Sequence, residues 1–285
     1  MANESGLAYF NRGTPEGEPV RPYYQAVGSE EAVFKAAYRQ GLALVLKGPT
    51  GCGKTRFVEA MAHDLGRPLI TVACHDDLTT ADLVGRYLLR GDETVWVDGP
   101  LTHAVREGAI CYLDEVVEAR QDTTVVLHPL ADHRRQLPIE RLGVTLDAAP
   151  GFGLVVSYNP GYQSVLKDLK DSTRQRMVAI EFHFPTPDIE EGIVAHEAGV
   201  DGSTAAELVR FGQAIRRLET GGLREVASTR VLIAAGRLVA EGLSMQEAAR
   251  AAIAGPLTDD VAVGKALGEM IQIYLATDEF GGSDD

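Results

Sequence analysis

Residues 48–55 read Gly48-Pro49-Thr50-Gly51-Cys52-Gly53-Lys54-Thr55, which matches the phosphate-binding pattern G-x-x-x-x-G-K-[ST]. An apolar run at Leu42–Leu46 comes before this loop, and a helical pattern at Arg56–Leu65 follows it. Glycines let the backbone turn so that successive N–H groups face phosphate oxygens at the start of a helix. We therefore predict that residues 48–55 and Arg56 bind a nucleoside triphosphate, with Lys54 on the β- and γ-phosphates and the Thr55 hydroxyl on Mg²⁺.

The composition limits the class of protein. A chain of 285 residues with 45% hydrophobic residues can form one large or two modest globular domains. No apolar stretch approaches the roughly 20 residues of a membrane span and no signal peptide is recognisable, so we expect a cytoplasmic protein without a membrane partner. The net charge of −14 argues against general nucleic-acid binding, which needs a basic surface. The three cysteines lack metal-ligand spacing and fit a reducing compartment.

Four segments are predicted along the chain. Residues 1–27 are rich in Gly, Pro and Glu, and we expect an extended N-terminal arm. In residues 28–185 short apolar runs alternate with helical patterns, which predicts an α/β nucleotide-binding core with a parallel sheet between helices. Residues 186–278 carry helical patterns and predict a small all-α lid domain, and residues 279–285 predict an acidic tail.

The elements expected within these segments follow from the spacing of apolar residues. The predicted strands are Leu42–Lys47, Leu69–Ala73, Ala109–Leu113, Leu154–Tyr158 and Val178–Phe182. The predicted helices lie near residues 30–40, 188–198, 203–219, 229–241, 244–254 and 259–276.

Two stretches interrupt the alternation of strands and helices in the core. Residues 86–98 have a Gly-Asp turn between two β-prone runs, and residues 136–147 contain a second possible turn at Leu142-Gly143, so each predicts a β-hairpin. The first hairpin carries Trp96 and Tyr87, which would either contact a partner protein or pack the hairpin against its own core.

Two carboxylates follow the predicted strand Ala109–Leu113. Ligands of nucleotide-binding α/β sheets meet the carboxyl ends of the strands, so Asp114 is predicted to hold Mg²⁺ opposite Thr55. Glu115 is predicted to polarise the attacking water as a general base. Taken alone, the pair could equally be a solvated strand end. Together with the phosphate-binding loop it indicates hydrolysis rather than passive binding.

Four further polar residues are candidates for the same site. Asn159 follows the next strand and could orient the water and sense the γ-phosphate, although Asn-Pro also begins turns. Arg174 and Arg176 precede the last strand, where an arginine can stabilise charge at a neighbouring subunit's nucleotide or simply lie beside surface acids. Arg230 opens a helix capped at Ser228 and could reach the γ-phosphate or pair with Glu225.

The order of these motifs resembles that of the AAA+ ATPases, P-loop NTPases with a helical lid, and more narrowly the MoxR branch, whose members insert hairpins where residues 86–98 and 136–147 lie. The strings GPTGCGKTRFVEAMA, LITVACHDDLTTADLVGRYLLRGDETVW, GAICYLDEVVEARQDTTVVLHPL and SYNPGYQSVLKDLKDSTRQR look like the CbbQ/NirQ/NorQ subgroup. The resemblance covers roughly residues 20–275.

This resemblance implies roles and partners that the residues alone do not. Asn159 matches sensor 1 and Arg230 matches sensor 2, while Arg176, with Arg174 as second choice, falls in the arginine-finger region. Members of the subgroup form homo-oligomeric, hexameric rings with sites between subunits and work with a CbbO-like adaptor that carries a von Willebrand factor A domain. The resemblance favours Rubisco as the protein client, and the alternative client is nitric oxide reductase in denitrification.

Three other functions are compatible with parts of the pattern. A passive ATP-gated scaffold or switch would bind nucleotide without the turnover that Glu115 indicates. A DNA-processing AAA+ protein is disfavoured by the net charge of −14 and by the lack of a basic helix-turn-helix pattern. A metal-chelatase motor would share the hairpin-bearing architecture, and the sequence does not speak for or against it.

Overall fold

A five-stranded parallel sheet lies at the centre of the first of two compact units. The structure, a computed structural model, describes residues 20–160, 171–217 and 226–275. The first unit comprises the described residues up to Pro49 and Lys54–Phe182, and the second comprises Thr50–Gly53 and the described residues from His183 onward.

The elements of the first unit alternate as expected for an α/β core. Its strands are β1 (Ala43–Lys47), β2 (Leu69–Ala73), β3 (Gly85–Arg90), β4 (Glu93–Asp98), β5 (Ile110–Asp114), β6 (Gln136–Ile139), β7 (Val144–Asp147), β8 (Gly153–Tyr158) and β9 (Met177–Glu181). Its helices are α1 (Glu30–Arg39), α2 (Lys54–Asp64), α3 (Thr80–Val84), α4 (Pro100–Glu107), α5 (Gln121–Thr124), α6 (His128–Ala131) and α7 (Asp171–Arg174).

The order of strands in the sheet is β2-β5-β8-β1-β9, and every neighbouring pair is parallel. The five predicted strands are confirmed, each within one residue of its predicted bounds. Because all five run in one direction, the carboxyl ends of β1, β5 and β8 meet at one edge of the sheet. β1, β5 and β8 are buried almost throughout, which explains why they read as continuous apolar runs.

Both predicted hairpins are present outside this sheet. Strand β3 pairs with β4 in antiparallel register from Gly85 opposite Asp98 to Arg90 opposite Glu93. Strand β6 pairs with β7, and the connection passes through a 3₁₀ turn to Gly143, whose φ of 65° lies in the left-handed region.

Helices make up the regular structure described in the second unit. They are α8 (Pro187–Ala198), α9 (Gly202–Arg217), α10 (Thr229–Ala240), α11 (Met245–Ala249), α12 (Gly255–Leu257) and α13 (Val261–Tyr274). The predicted helix 244–254 is interrupted, because a π-helical turn at Arg250–Ala254 follows α11. Pro256 lacks the N–H that a continuous α-helix would donate four residues back, and the wider turn accommodates that loss.

Some predictions fall outside the described residues. These are most of the arm at 1–27, the tail at 279–285 and the proposed pairing of Arg230 with Glu225. Residues 20–29 are described and contain no helix or strand. The predicted limits of the core and the lid, 28–185 and 186–278, stay predictions. No helix in the described ranges is both long and apolar enough to cross a membrane.

The three cysteines are buried, and none of them forms a disulfide within the described ranges. Burial raises the pKa of the Cys111 thiol to about 12, and burial together with the charges of Asp114 and Glu115 raises the pKa of Cys74 to about 12. Both thiols therefore stay protonated at neutral pH and behave as small apolar groups.

A buried ion pair joins three elements of the second unit. The Glu190 side chain of α8 is completely buried and accepts two hydrogen bonds of 2.7 Å from Arg216 at the end of α9. It also accepts a 2.5 Å hydrogen bond from Thr229 at the start of α10. The guanidinium stacks on Phe184 with its Cζ 4.1 Å from the ring centroid. A fork of this geometry satisfies a buried carboxylate, and its loss leaves the charge uncompensated.

We predict that Arg216→Met lowers the free energy of unfolding by ~3–5 kcal/mol, because it leaves Glu190 charged and buried. The double variant with Glu190→Met should be less destabilised than Arg216→Met alone. Equilibrium urea unfolding measures both.

The matched control is Arg237→Met, which removes an arginine that is 60% exposed and pairs with Glu197 at 3.3 Å. This exposed pair should contribute about 1 kcal/mol or less. Equal losses in the two arginine variants would contradict a special role for the buried pair.

Candidate functional site

The phosphate-binding loop connects β1 to α2, as the sequence predicts. Gly51 and Gly53 have φ values of 74° and 101°, in the left-handed region that a residue with a side chain rarely adopts. A Cβ on Gly53 would meet nothing within 4 Å among the described residues, so backbone conformation rather than lack of space requires glycine there. The helix begins directly at Lys54, which places its N-terminus at the end of the loop.

Lys54 is the buried cation of the site, with a side chain that is 5% exposed. Its ammonium donates hydrogen bonds to the carbonyl oxygens of Gly48 at 2.8 Å and Pro49 at 3.0 Å. Its Nζ also lies 3.9 Å from Glu115 Oε1. Backbone carbonyls carry no net charge, so this ammonium has a weak counter-charge and is suited to an incoming phosphate.

The Asp114 carboxylate connects β5 with α2 and β8. Its Oδ2 accepts a 3.3 Å hydrogen bond from Thr55, and its Oδ1 accepts bonds from Ser157 at 2.5 Å and Tyr112 at 2.7 Å. Tyr112 is fully buried, and burial with the charge of Asp114 raises the pKa of its hydroxyl, which stays a donor. The Thr55 hydroxyl and the Asp114 carboxylate, 3.3 Å apart, both provide oxygen ligands of the hard type that Mg²⁺ prefers.

Glu115 has an unusual backbone conformation for a residue with a side chain. Its φ of 53° and ψ of 48° place it in the left-handed region, directly after β5. Its N–H donates a 3.1 Å hydrogen bond to Ser157 Oγ. Backbone conformations of this kind cost about 1–3 kcal/mol and persist where the surroundings enforce them, commonly at active sites.

The Glu115 carboxyl is half-buried, and its burial raises its pKa above the usual value. Lys54 lowers this pKa and the charge of Asp114 raises it further, and the net direction is upward. A backbone hydrogen bond from Asn159 also reaches the carboxylate. A carboxylate with a raised pKa is a stronger base than an exposed one when it is ionised.

Asn159 lies at the same edge of the sheet. It follows β8 directly, its side chain is 6% exposed, and its backbone contacts the Glu115 carboxylate. The structure therefore brings Lys54, Thr55, Asp114, Glu115 and Asn159 together, as predicted from the positions of their strands.

Arg56 and Cys52 are also among the residues predicted to bind the nucleotide. Arg56 is 46% exposed and its Nη1 lies 3.3 Å from Glu59 Oε2 on the next turn of α2. Cys52 is buried within the loop. Their predicted contribution to nucleotide binding stays a prediction.

Arg174 and Arg176 lie at the other edge of the sheet. They immediately precede β9, whose first residue, Met177, pairs with Ala43 at the start of β1. The loop begins only after the end of β1, and a rise of about 3.3 Å per residue separates the two edges by roughly 13 Å. Arg174 pairs with Asp171, whereas Arg176 contacts the Ser172 carbonyl and has no carboxylate partner among the described residues.

Arg230 is exposed near the start of α10, in the second unit. Within that unit, a Cβ built on Gly51 would lie 2.5 Å from Ser228 Oγ and 3.5 Å from Arg230 Cβ. Ser228 occupies the N-cap position as predicted, but its side chain makes no capping hydrogen bond. The expectation of a hydroxyl cap was wrong.

Two residues of the site escaped the sequence-based prediction, Tyr112 and Ser157. Each lies two positions before a predicted site residue: Tyr112 before Asp114 on β5, and Ser157 on β8 before Asn159, which directly follows that strand. Side chains two apart on a strand point to the same face, so this spacing was a usable signal. Both side chains hold the Asp114 carboxylate in place.

Family models match the chain in two blocks. The model of an AAA domain of the dynein-related subfamily matches residues 43–177, and the model of the CbbQ/NirQ/NorQ C-terminal region matches residues 190–274. The first block contains the loop, the two carboxylates and Asn159, and the second covers most of the helical unit.

Relatives with three different names are similarly close. The denitrification regulatory protein NirQ of Stutzerimonas stutzeri is 58% identical, over 92% of this chain and 95% of its own length. The protein NorQ of Paracoccus denitrificans is 60% identical, over 87% of this chain and 92% of its own length. The protein CbbQ of Hydrogenophilus thermoluteolus is 56% identical, over 90% of this chain and 96% of its own length.

Solved structures share the fold at low identity. A mutant of RuvB from Thermotoga maritima superposes with a TM-score of 0.54 at 16% identity, covering 90% of this chain and 74% of that one. The RuvB Holliday junction branch migration motor of the same organism gives a TM-score of 0.51 at 16% identity, covering 89% and 73%. This likeness shows the AAA+ P-loop fold, and the sequence comparisons show that the chain belongs to the CbbQ/NirQ/NorQ family of AAA+ ATPases.

Proposed function

We propose that this ATPase is a ring-forming motor that uses ATP hydrolysis to remodel a protein client, and that the client is inhibited Rubisco. The observation that supports the motor is the arrangement of Lys54, Asp114 and Glu115 at one edge of the sheet, together with finger candidates at the opposite edge. The client follows from the family resemblance.

The residues of the loop fit an ATP–Mg²⁺ complex. The Lys54 ammonium is held by neutral carbonyls and would exchange these for phosphate oxygens. Thr55 and Asp114 would hold Mg²⁺ through hard oxygen ligands, with water and phosphate completing the shell. When bound, this ion neutralises charge on the phosphate oxygens.

Glu115 would act as the general base in hydrolysis. The strained backbone aims its carboxylate toward Lys54, and hydrogen bonds from its own N–H to Ser157 and from Asn159 to its carboxylate fix the position. Asn159 would orient the same water and sense the γ-phosphate. A catalytic base held in this way favours turnover over the passive switch.

A neighbouring subunit would complete the site. Because Arg176 lies at the edge of the sheet away from its own loop, it is better placed to serve the nucleotide of an adjacent copy. Arg176 is preferred over Arg174, since Arg174 is already paired with Asp171. Arg230 would act as the second sensor, and the closeness of its Cβ to Gly51 supports this role.

The β3–β4 hairpin would contact the client or the adaptor. Leu89 is 76% exposed, while Tyr87 and Leu88 are 45% and 36% exposed. Trp96 has a different position, because it packs against the core of the first unit and donates a 2.6 Å hydrogen bond to Asp98. The Tyr87 and Trp96 rings meet edge to face with centroids 5.2 Å apart, so Trp96 supports the hairpin. Leu89 is the most exposed of the apolar residues on the edge proposed to make the contact.

The alternative client is nitric oxide reductase. Two of the three relatives described above are the denitrification regulatory protein NirQ and the protein NorQ, at 58% and 60% identity. In both cases a von Willebrand factor A domain adaptor would act with the ring, and the compartment would be the cytoplasm.

We predict that Glu115→Gln lowers ATP turnover by about 100-fold or more and leaves ATP binding intact, because it removes the base but keeps the shape of the side chain. Arg176→Ala should also lose turnover. Mixing the two variants should restore up to about a quarter of wild-type activity, since some interfaces then pair an intact Glu115 with an intact neighbouring Arg176. Steady-state phosphate release and nucleotide-binding titrations measure these effects.

Arg174→Ala is the matched control and should retain most activity. Complementation by Arg174→Ala in place of Arg176→Ala would assign the finger to Arg174. Normal turnover in Glu115→Gln would refute the assignment of the base.

We predict that Ser157→Ala and Tyr112→Phe each raise the Mg²⁺ concentration for half-maximal turnover by about tenfold, because Asp114 loses a hydrogen bond that orients it. ATP affinity measured without Mg²⁺ should not change, and the gain in affinity on adding Mg²⁺ should shrink. Tyr158→Phe is the control, since Tyr158 lies next to Ser157 on β8 but is not one of the described donors to Asp114. An unchanged Mg²⁺ dependence in both variants would show that Asp114 does not need these partners.

We predict that the protein, its von Willebrand-type adaptor and ATP restore carboxylation to sugar-phosphate-inhibited Rubisco. A parallel assay uses inactive nitric oxide reductase, and recovery only in that assay would overturn the choice of client. Leu89→Asp should abolish client activation while basal ATP turnover persists, because a charge disrupts an apolar contact.

The control for the hairpin variant is Val261→Asp, which changes a valine that is 87% exposed on the helical unit. It should retain client activation. Equal loss in both variants would indicate a general effect of added charge.

A further inference from the structure

A cleft of about 470 Å³ lies in the first unit, away from the phosphate-binding loop. Its walls are formed by segments that immediately precede β1, β2 and β8, and by Arg135 ahead of β6. Because the strands are parallel, these segments meet at the amino-terminal edge of the sheet. The loop and the two carboxylates lie at the carboxyl edge, roughly 15 Å away along five-residue strands.

The lining of this basic cleft, defined by Arg39, Arg67 and Arg135, contains three arginines and no carboxylate. None of the three forms an ion pair with a carboxylate among the residues that the structure describes. Such clustering is unexpected in a chain with a net charge of −14, because abundant acids would ordinarily neutralise it.

Arg135 forms one wall and is held in a strained conformation. Its φ of 48° is in the left-handed region, one of two such values at described non-glycine residues, the other being that of Glu115. Its guanidinium donates hydrogen bonds to the carbonyls of Gly41 and, at 2.6 Å, of Phe152. Burial lowers the pKa of this side chain, which has only neutral carbonyls as acceptors.

Two glycines make room for the guanidinium groups. A Cβ on Gly41 would lie 2.7 Å from Arg135 Nη1, and a Cβ on Gly151 would lie 2.5 Å from Arg67 Cζ. The Gly151 carbonyl accepts a 2.7 Å hydrogen bond from Tyr38, which secures the segment before β8. The cleft is thus shaped so that charged side chains pack directly on backbone.

We propose that the basic cleft binds a small anion carrying phosphate or carboxylate groups, as a second ligand site separate from that for ATP. Guanidinium groups match the oxygens of both anions in bidentate geometry. The volume lies within the range of about 300–1,000 Å³ that small-molecule sites occupy. A bound anion would supply the counter-charge that Arg39, Arg67 and Arg135 lack.

Calorimetric titration of the full chain at low salt tests the site, with citrate and inorganic phosphate as separate probes. At least one probe should bind, and the stronger one identifies the preferred anion class. Arg67→Gln should weaken its binding by about tenfold or more, through loss of a charged hydrogen bond. Arg67 is exposed, so this variant should fold normally, and Arg135→Gln provides a second test if its unfolding temperature is unchanged.

Two controls distinguish binding in the cleft from binding at the ATP site or to surface charge in general. Lys54→Ala, which removes the phosphate-binding lysine, should leave citrate binding and the Arg67-dependent part of phosphate binding in place. Arg120→Gln changes a 64% exposed arginine of the same unit and should also leave it unchanged. The proposal is overturned if neither probe binds, if Lys54→Ala abolishes binding, or if Arg120→Gln weakens it as much as Arg67→Gln does.

Discussion

Hydrogen bonds to the Asp114 carboxylate hold together the edge of the sheet at which the phosphate-binding loop lies. One oxygen accepts from Thr55 on α2, and the other accepts from Tyr112 on its own strand and Ser157 on the adjacent one. A partly buried carboxylate needs these donors, because an unsatisfied charge is costly where water is largely excluded. The same Ser157 hydroxyl accepts a hydrogen bond from the N–H of Glu115, so one side chain links the residue proposed to hold Mg²⁺ with the residue proposed as the base.

Parallel register explains which residues can act within one subunit. Residues after β1, β5 and β8 meet at one edge, and residues before β1 and β9 meet at the other. Lys54, Asp114 and Asn159 share the first edge, whereas Arg176 and the basic cleft belong to the second. If Arg176 serves hydrolysis, as we propose, its position at the second edge requires it to act on the nucleotide of another copy of the chain, so that the proposed ring would complete each site.

The sequence was most informative where chemistry requires contiguous residues. The loop, the strand ending in Asp114 and Glu115, and both hairpins could be predicted, since each is defined by local spacing. The left-handed backbone at Glu115 could not be, because Glu is not a residue that selects such a conformation and tertiary contacts impose it. The π turn before Pro256 could not be predicted either. The Glu190–Arg216 pair could not be predicted because only the packing of the helices brings these two residues together.

The geometry of the nucleotide site gives the least information about which protein is the client. Relatives with NirQ, NorQ and CbbQ names retain 56–60% identity to this chain. ATP hydrolysis constrains the buried Lys54, the partly buried Asp114 and the strands that hold them. We propose that recognition of a client depends instead on exposed positions such as Leu89, where a substitution changes the surface without disturbing the core. Because the nucleotide site is expected to be the same whatever the client, we propose that discrimination between clients comes from the exposed edge of the β3–β4 hairpin and from the adaptor.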